Sequence, residues 1–122
     1  MSLSIRRIDY LCYELLNKDP SFIRCIQFPI DEMCIYAIGL KPLTLRFIEN
    51  PSQEMCDLAV ALDPVAIRFV PRDKQTYEMC VNAVRERPFV LQYIHDVTTE
   101  LIDISKKELL QSKLNTLFFI DR

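Results

Sequence analysis

Apolar residues in this 122-residue chain come in short blocks at helical spacing, and prolines rather than glycines break the blocks apart. Met55, Cys56, Ala59 and Val60, with Leu62 as a last member, follow the i, i+3, i+4 pattern of one helix face. The same block recurs. Glu-Met-Cys stands at 32–34, 54–56 and 78–80, and Leu11-Cys12 makes a fourth copy, so the cysteines step by 22, 22 and 24 residues. Eight residues after each cysteine comes a proline (Pro20, Pro42, Pro64, Pro88), and four further on come Arg24, Arg46, Arg68 and Gln92. Two more bring Ile26, Ile48, Val70 and Ile94. Shared phase at this many positions is the mark of a tandem repeat.

Each unit reads as two helices. In the third, Asn50 is a suitable N-cap, Pro51 suits the first helical position, and Gln53 can reach back as in a capping box. The residue before Pro64 is biased away from helical geometry, so this helix of about twelve residues ends near Leu62. Asp63 then caps a second helix of about seven, carrying Val65, Ile67, Phe69 and Val70, which Pro71 ends. Helices this short need neighbours to persist. Ala37, Ala59 and Ala83, with Leu15 in the first unit, mark close helix approach, and the in-phase cysteines pack as small hydrophobes beside them. Cys25 replaces the aromatic of Phe47, Phe69 and Tyr93 and is expected in the core.

The expected fold is therefore all-α, one domain over 1–122. It is a short right-stacked α-solenoid of four two-helix repeats of about 22 residues (9–28, 29–50, 51–72 and 73–95), with a polar C-terminal helical cap over 96–122. Glu100-Leu101-Ile102 restarts the pattern without its proline, and Lys106, Lys107, Glu108 and Lys113 give this segment the polar outer face a terminal unit requires. Residues 1–9 read as a partly ordered leader.

Composition narrows the function classes. A formal charge of −2 is too small to draw nucleic acid or an anionic membrane in bulk. Apolar runs such as Leu117–Ile120 are far below the roughly 18 residues of a membrane span, and residues 1–7 lack the apolar block of a secretory signal. The single glycine, Gly39, speaks against a Gly-rich phosphate loop and most β architectures. Five cysteines with no C-x-x-C pair suggest free thiols in a reducing compartment, the cytoplasm of a host or producing cell, or a virion.

The stretch Met-Cys-x-x-Ala-Val-x-x-x-Pro-x-x-Ile-Arg-Phe-Val, Met55 to Val70, resembles a known helical repeat. It is similar to the short tandem alpha-helical repeat domain of unknown function found in proteins of giant DNA viruses and amoeba-associated bacteria. The likeness covers 31–94 and, more weakly, 10–26, with Leu15 departing from the alanine and Gln92 from the arginine. It implies the fold and a viral or intracellular-bacterial source, and it brings no catalytic motif.

Candidate chemistry is sparse. His95 sits at the exit of a second helix beside Asp96, which more simply caps the next helix; as a base it would need an orienting carboxylate and a nucleophile. Glu32, Glu54, Glu78 and Glu100 occupy first turns, where negative charge offsets the helix dipole. Matching cysteines on stacked helices stand about 8–10 Å apart, too far for a shared zinc or a disulfide. No catalytic residue, metal site or cofactor is expected.

Two features remain as partner sites. Arg24, Arg46 and Arg68 form a ladder with rungs about 10 Å apart, suited to carboxylates or a phosphate chain; solvation or pairing between repeats explains them too, and Glu49 lies three residues after Arg46. The positions after each cysteine vary from unit to unit, so Ile35, Tyr36, Leu58 and Val81 form an outward apolar strip or else pack between units. The leading expectation is a non-enzymatic protein-interaction module, an adaptor, inhibitor or host-factor binder. The alternatives are a structural component of a larger assembly such as a viral particle, and a binder of an anionic ligand or nucleic acid through the arginines.

Overall fold

The computed structural model describes residues 3–120, with side chains described for residues 8–117. Five α-helices succeed one another as α1 (Leu3–Lys18), α2 (Asp31–Leu40), α3 (Gln53–Leu62), α4 (Tyr77–Glu86) and α5 (Thr99–Ile120), and a six-residue 3₁₀ helix comes after each of the first four. Among the described residues there is no strand, and the chain is an all-α helical repeat protein.

The bend inside each unit lies at the residue before its proline. Asp19, Lys41 and Asp63 are extended, with φ near −150° (−154, −150 and −148), and Arg87 is close to them at −137°. The proline ring disfavours helical geometry at that residue and presets φ for the first position of the 3₁₀ helix. The Asp63 carboxylate accepts from the Val65 amide at 3.0 Å, as expected of a cap, and Asp19 does the same for Ser21.

The second helices are 3₁₀ rather than α, at Pro20–Cys25, Pro42–Phe47, Pro64–Phe69 and Pro88–Tyr93. Each is closed by i to i−3 bonds, for example Ala66 to Asp63 and Val70 to Ile67. Six residues would leave an α-helix almost no internal bonds, whereas a three-residue period brings Pro64, Ile67 and Val70, all buried, onto one face.

Three capping expectations are corrected. Asn50 has φ 48°, the left-handed region, so it serves the turn and cannot enter the helix; Ser52, extended at φ −70° and ψ 164°, caps α3 through the Met55 amide. Gln53 does not reach back but donates forward to Asp57 and to the Lys74 carbonyl. Likewise Thr98, not Asp96, caps α5 through the Leu101 amide at 3.2 Å. The leader expected over 1–9 is helical from Leu3, and Met1 and Ser2 lie outside the described residues.

The core is the repeat itself. Met33, Cys34, Ala37 and Ile38, with their counterparts in α3 and α4, are all buried, and α2, α3 and α4 each pack on the preceding 3₁₀ helix as well as on the preceding α-helix. Burial raises the thiol pKa of Cys34, Cys56 and Cys80, that of Cys56 to about 11. Cys12, in the first unit, is half-buried. Three expected core members face outward: Cys25, Leu62 and Leu15, the last on a face of α1 that no described unit precedes, while Leu16 joins the buried row of Ile38, Val60 and Val84.

The 24-residue step is absorbed in one linker. Between the third 3₁₀ helix and α4 the chain adds a single 3₁₀ turn, Arg72–Lys74, and then Gln75. The Gln75 side chain donates to the carbonyls of Ile67 and Tyr93, and its oxygen accepts from the His95 amide.

Candidate partner-binding face

The three arginines sit near the ends of successive 3₁₀ helices, one residue before the half-buried Phe47 and Phe69 in the second and third units. Each aromatic ring is shared or reached from the unit before. The Arg24 guanidinium lies over Phe47 at 5.4 Å and Arg46 over the same ring at 4.9 Å. Arg46 also lies 5.8 Å from the centre of Phe69, and Arg68 stands 5.6 Å from Phe69 and 5.5 Å from Tyr93. The row thus reads Arg24, Phe47, Arg46, Phe69, Arg68, Tyr93, crossing four units. The legs through Phe47 hold the first two guanidiniums no more than about 10 Å apart, the spacing of packed helices.

The rings do two things for the arginines. A cation over an aromatic face gains about 0.5–1 kcal/mol at exposed sites, which restrains otherwise loose side chains. A ring offers no carbonyl or carboxylate oxygen, so the five N–H donors of each guanidinium keep their capacity for an anionic partner. All three arginines are exposed, and among the described residues the ion pair within 4.0 Å is a different one, Arg72 with Asp96 at 2.6 Å. The repeated Arg-Phe dipeptide was visible in the sequence; that one arginine would reach the next unit's ring was not.

At the first-unit end of this row a cleft of about 510 Å³ opens between the first and second units, lined by Arg24, Phe28, Asp31, Phe47 and Glu49 among others. Phe28 is 83% exposed, the most exposed large apolar side chain among the described residues.

Of the two readings of the variable positions, packing between units is the one that burial favours. Ile35, Leu58 and Val81 are partly buried and pack against the core, so they serve packing between units. Tyr36 is exposed, but its hydroxyl donates to the Asn17 side chain and its ring meets Tyr13 edge-on at 5.1 Å. These residues occupy two neighbouring rows of the helices rather than one outward strip, because successive helical positions point about 100° apart.

The remaining chemistry is dispersed. His95 is exposed, and the carboxylate beside it is engaged by Arg72, which holds Asp96 below the ordinary carboxylate range. A groove between α3 and α4 brings Asp57, Glu78 and Glu86 together with Asn82, all exposed. An acid–base pair of carboxylates needs one member withdrawn from water, and none of these is. Among the described residues no group of three or more His, Cys, Asp or Glu is arranged to hold a metal ion. No helix among them is long and apolar enough to cross a membrane.

Compared with protein-family models, with curated proteins and with solved structures, the chain matches none.

Proposed function

We propose that this protein is a non-enzymatic interaction module that holds an acidic segment of a protein partner along Arg24, Arg46 and Arg68. The observation that carries the reading is the shared-ring row: three exposed guanidiniums, each restrained by aromatic contacts, with rungs expected at the helix-packing spacing of about 10 Å. A peptide in polyproline II geometry advances about 3.1 Å per residue with three residues per turn, so carboxylates at every third position lie on one side and meet successive guanidiniums. Each such contact can be a two-pronged, charge-assisted hydrogen bond. Phe28, at the end of the row, offers an apolar anchor beside the first arginine. The resemblance to tandem repeats of giant viruses and amoeba-associated bacteria fits an adaptor, inhibitor or host-factor binder. The free thiols fit a reducing setting, in the cytoplasm or a virion.

The test is fluorescence anisotropy with a labelled peptide bearing Asp or Glu at every third position, against one with Asn and Gln in their place. The acidic peptide binds and the neutral one does not. Arg46→Gln with Arg68→Gln abolishes binding, and the two Lys substitutions restore only part of it, since a point charge lacks the fork. Equal binding by the double Gln variant would sink the proposal. A single-stranded oligonucleotide binding more tightly than the peptide would hand the row to the anionic-ligand reading.

A further inference from the structure

We infer that copies of this chain stack head to tail, the leucine stripe of α5 on one copy lying on the open face of α1 on the next. The repeat shows which way each helix face points. Leu11 and Leu15 occupy the positions held by Met33 and Ala37, Met55 and Ala59, and Met79 and Ala83 in the inner units. Those six are at most 7% exposed, whereas Leu11 and Leu15 are 50% and 43% exposed. At the other end the pattern inverts. Leu101 and Ser105, in the same two positions of α5, are buried, while Lys106, the counterpart of Leu16, Ile38, Val60 and Val84, is exposed.

The Met–Ala row of each helix therefore faces backward, onto the preceding unit, and the row carrying Leu16 faces forward. Since α1 has no unit before it among the described residues, its backward face is an inter-unit surface left uncovered. Ile8, one turn earlier and also exposed, lengthens it.

The forward face at the far end carries Lys106 and, seven residues on, Lys113, both exposed, beside an apolar stripe. The inner helices are ten residues long, but α5 runs on past Glu108 as an overhang. There Leu110, Leu114 and Leu117, at i, i+4 and i+7, are exposed on the same side of the helix as Lys106. One chain thus carries an unmatched forward-facing apolar stripe and an unmatched backward-facing one. Every junction inside the chain joins a forward face to a backward face, so α5 on α1 of a second copy continues the interface the fold already uses. Lys106 shifts the contact at least one turn along α5. Pairing of α1 with α1 would oppose two backward faces, a junction found nowhere in the stack. A heterologous contact of this kind leaves one free end after each addition and grows into open filaments or closes into rings.

Two double variants at exposed positions test this, with helicity checked by circular dichroism: Leu11→Asp with Leu15→Asp to disable the head, and Leu110→Asp with Leu114→Asp to disable the tail. By light scattering, the unmodified chain grows in mean mass with concentration, each variant stays a monomer, and an equimolar mixture of the two gives a dimer and nothing larger. A monomeric unmodified chain overturns the inference. So does a tail variant that still dimerises, which would mean α1 pairs with α1, or a head variant that still does, which would mean α5 pairs with α5.

Discussion

The Gln75 amide donates to the Tyr93 carbonyl at 3.0 Å across 18 residues of chain. With the Ile67 carbonyl and the His95 amide as further partners, one side chain ties the 3₁₀ helix of the third unit to that of the fourth. It does so in the linker that carries the two additional residues, where the regular spacing of backbone partners is broken.

Gln75→Ala should therefore cost about 2 kcal/mol, since part-buried backbone groups lose their partner without gaining water in full. Urea unfolding measures it. Asp96→Ala, which removes an exposed pair with Arg72, should leave the transition where it is. Equal costs for the two would mean Gln75 is not a staple.

Thr98→Ala should lower stability by about 1 kcal/mol as a lost N-cap, with fraying confined to the start of α5. Hydrogen exchange at the Leu101 amide reads this directly, because that amide donates to the Thr98 hydroxyl. Asp96→Ala should leave exchange there unchanged.

Phe69 serves both Arg46 and Arg68, so Phe69→Leu should weaken two contacts at once. A double-mutant cycle between Arg68 and Tyr93 should give a coupling of about 0.5–1 kcal/mol, in the range of exposed cation–π pairs. Salt should reduce it little, as the partner is a ring and not a charge. A coupling of zero would leave the row as a chance alignment and weaken the case for a restrained binding face.

Burial of Cys56 pushes its thiol up to about 11, from an ordinary value near 9.0. Linkage sets the sign: the unfolded chain loses this proton first, so stability is full below about pH 9 and falls as pH climbs toward 11. The loss is on the order of 2 kcal/mol. Cys34 and Cys80, raised in the same direction by burial, add to it. Unfolding at pH 8 and pH 10.5 compares the two regimes, and Cys56→Ala should flatten the difference. A thiol reagent at neutral pH should label exposed Cys25 rapidly and the three buried thiols only on unfolding.

Much of the architecture was legible because the repeat states it several times over. Four prolines in phase marked four bends, and the residue before each is extended for the steric reason the sequence suggests. Local competition escaped that reading. Asn50, Ser52 and Gln53 are all plausible at a helix start, and only backbone geometry shows that Asn50 takes the left-handed turn and Ser52 the cap. Spacing left exposure and packing both open for Ile35, Leu58 and Val81, because a position free to vary between units need not face solvent; several apolar shapes fill the same gap.

By itself, the sequence determined that short helices recur in register and that methionine, cysteine and alanine fill the space between them, since those are properties of spacing and side-chain size. The tertiary structure alone decided which aromatic ring each arginine meets, that Gln75 bridges two units, and which face of α1 is left open. Those relationships join residues roughly one repeat apart, and stacking, which no single unit encodes, brings them within a few ångströms.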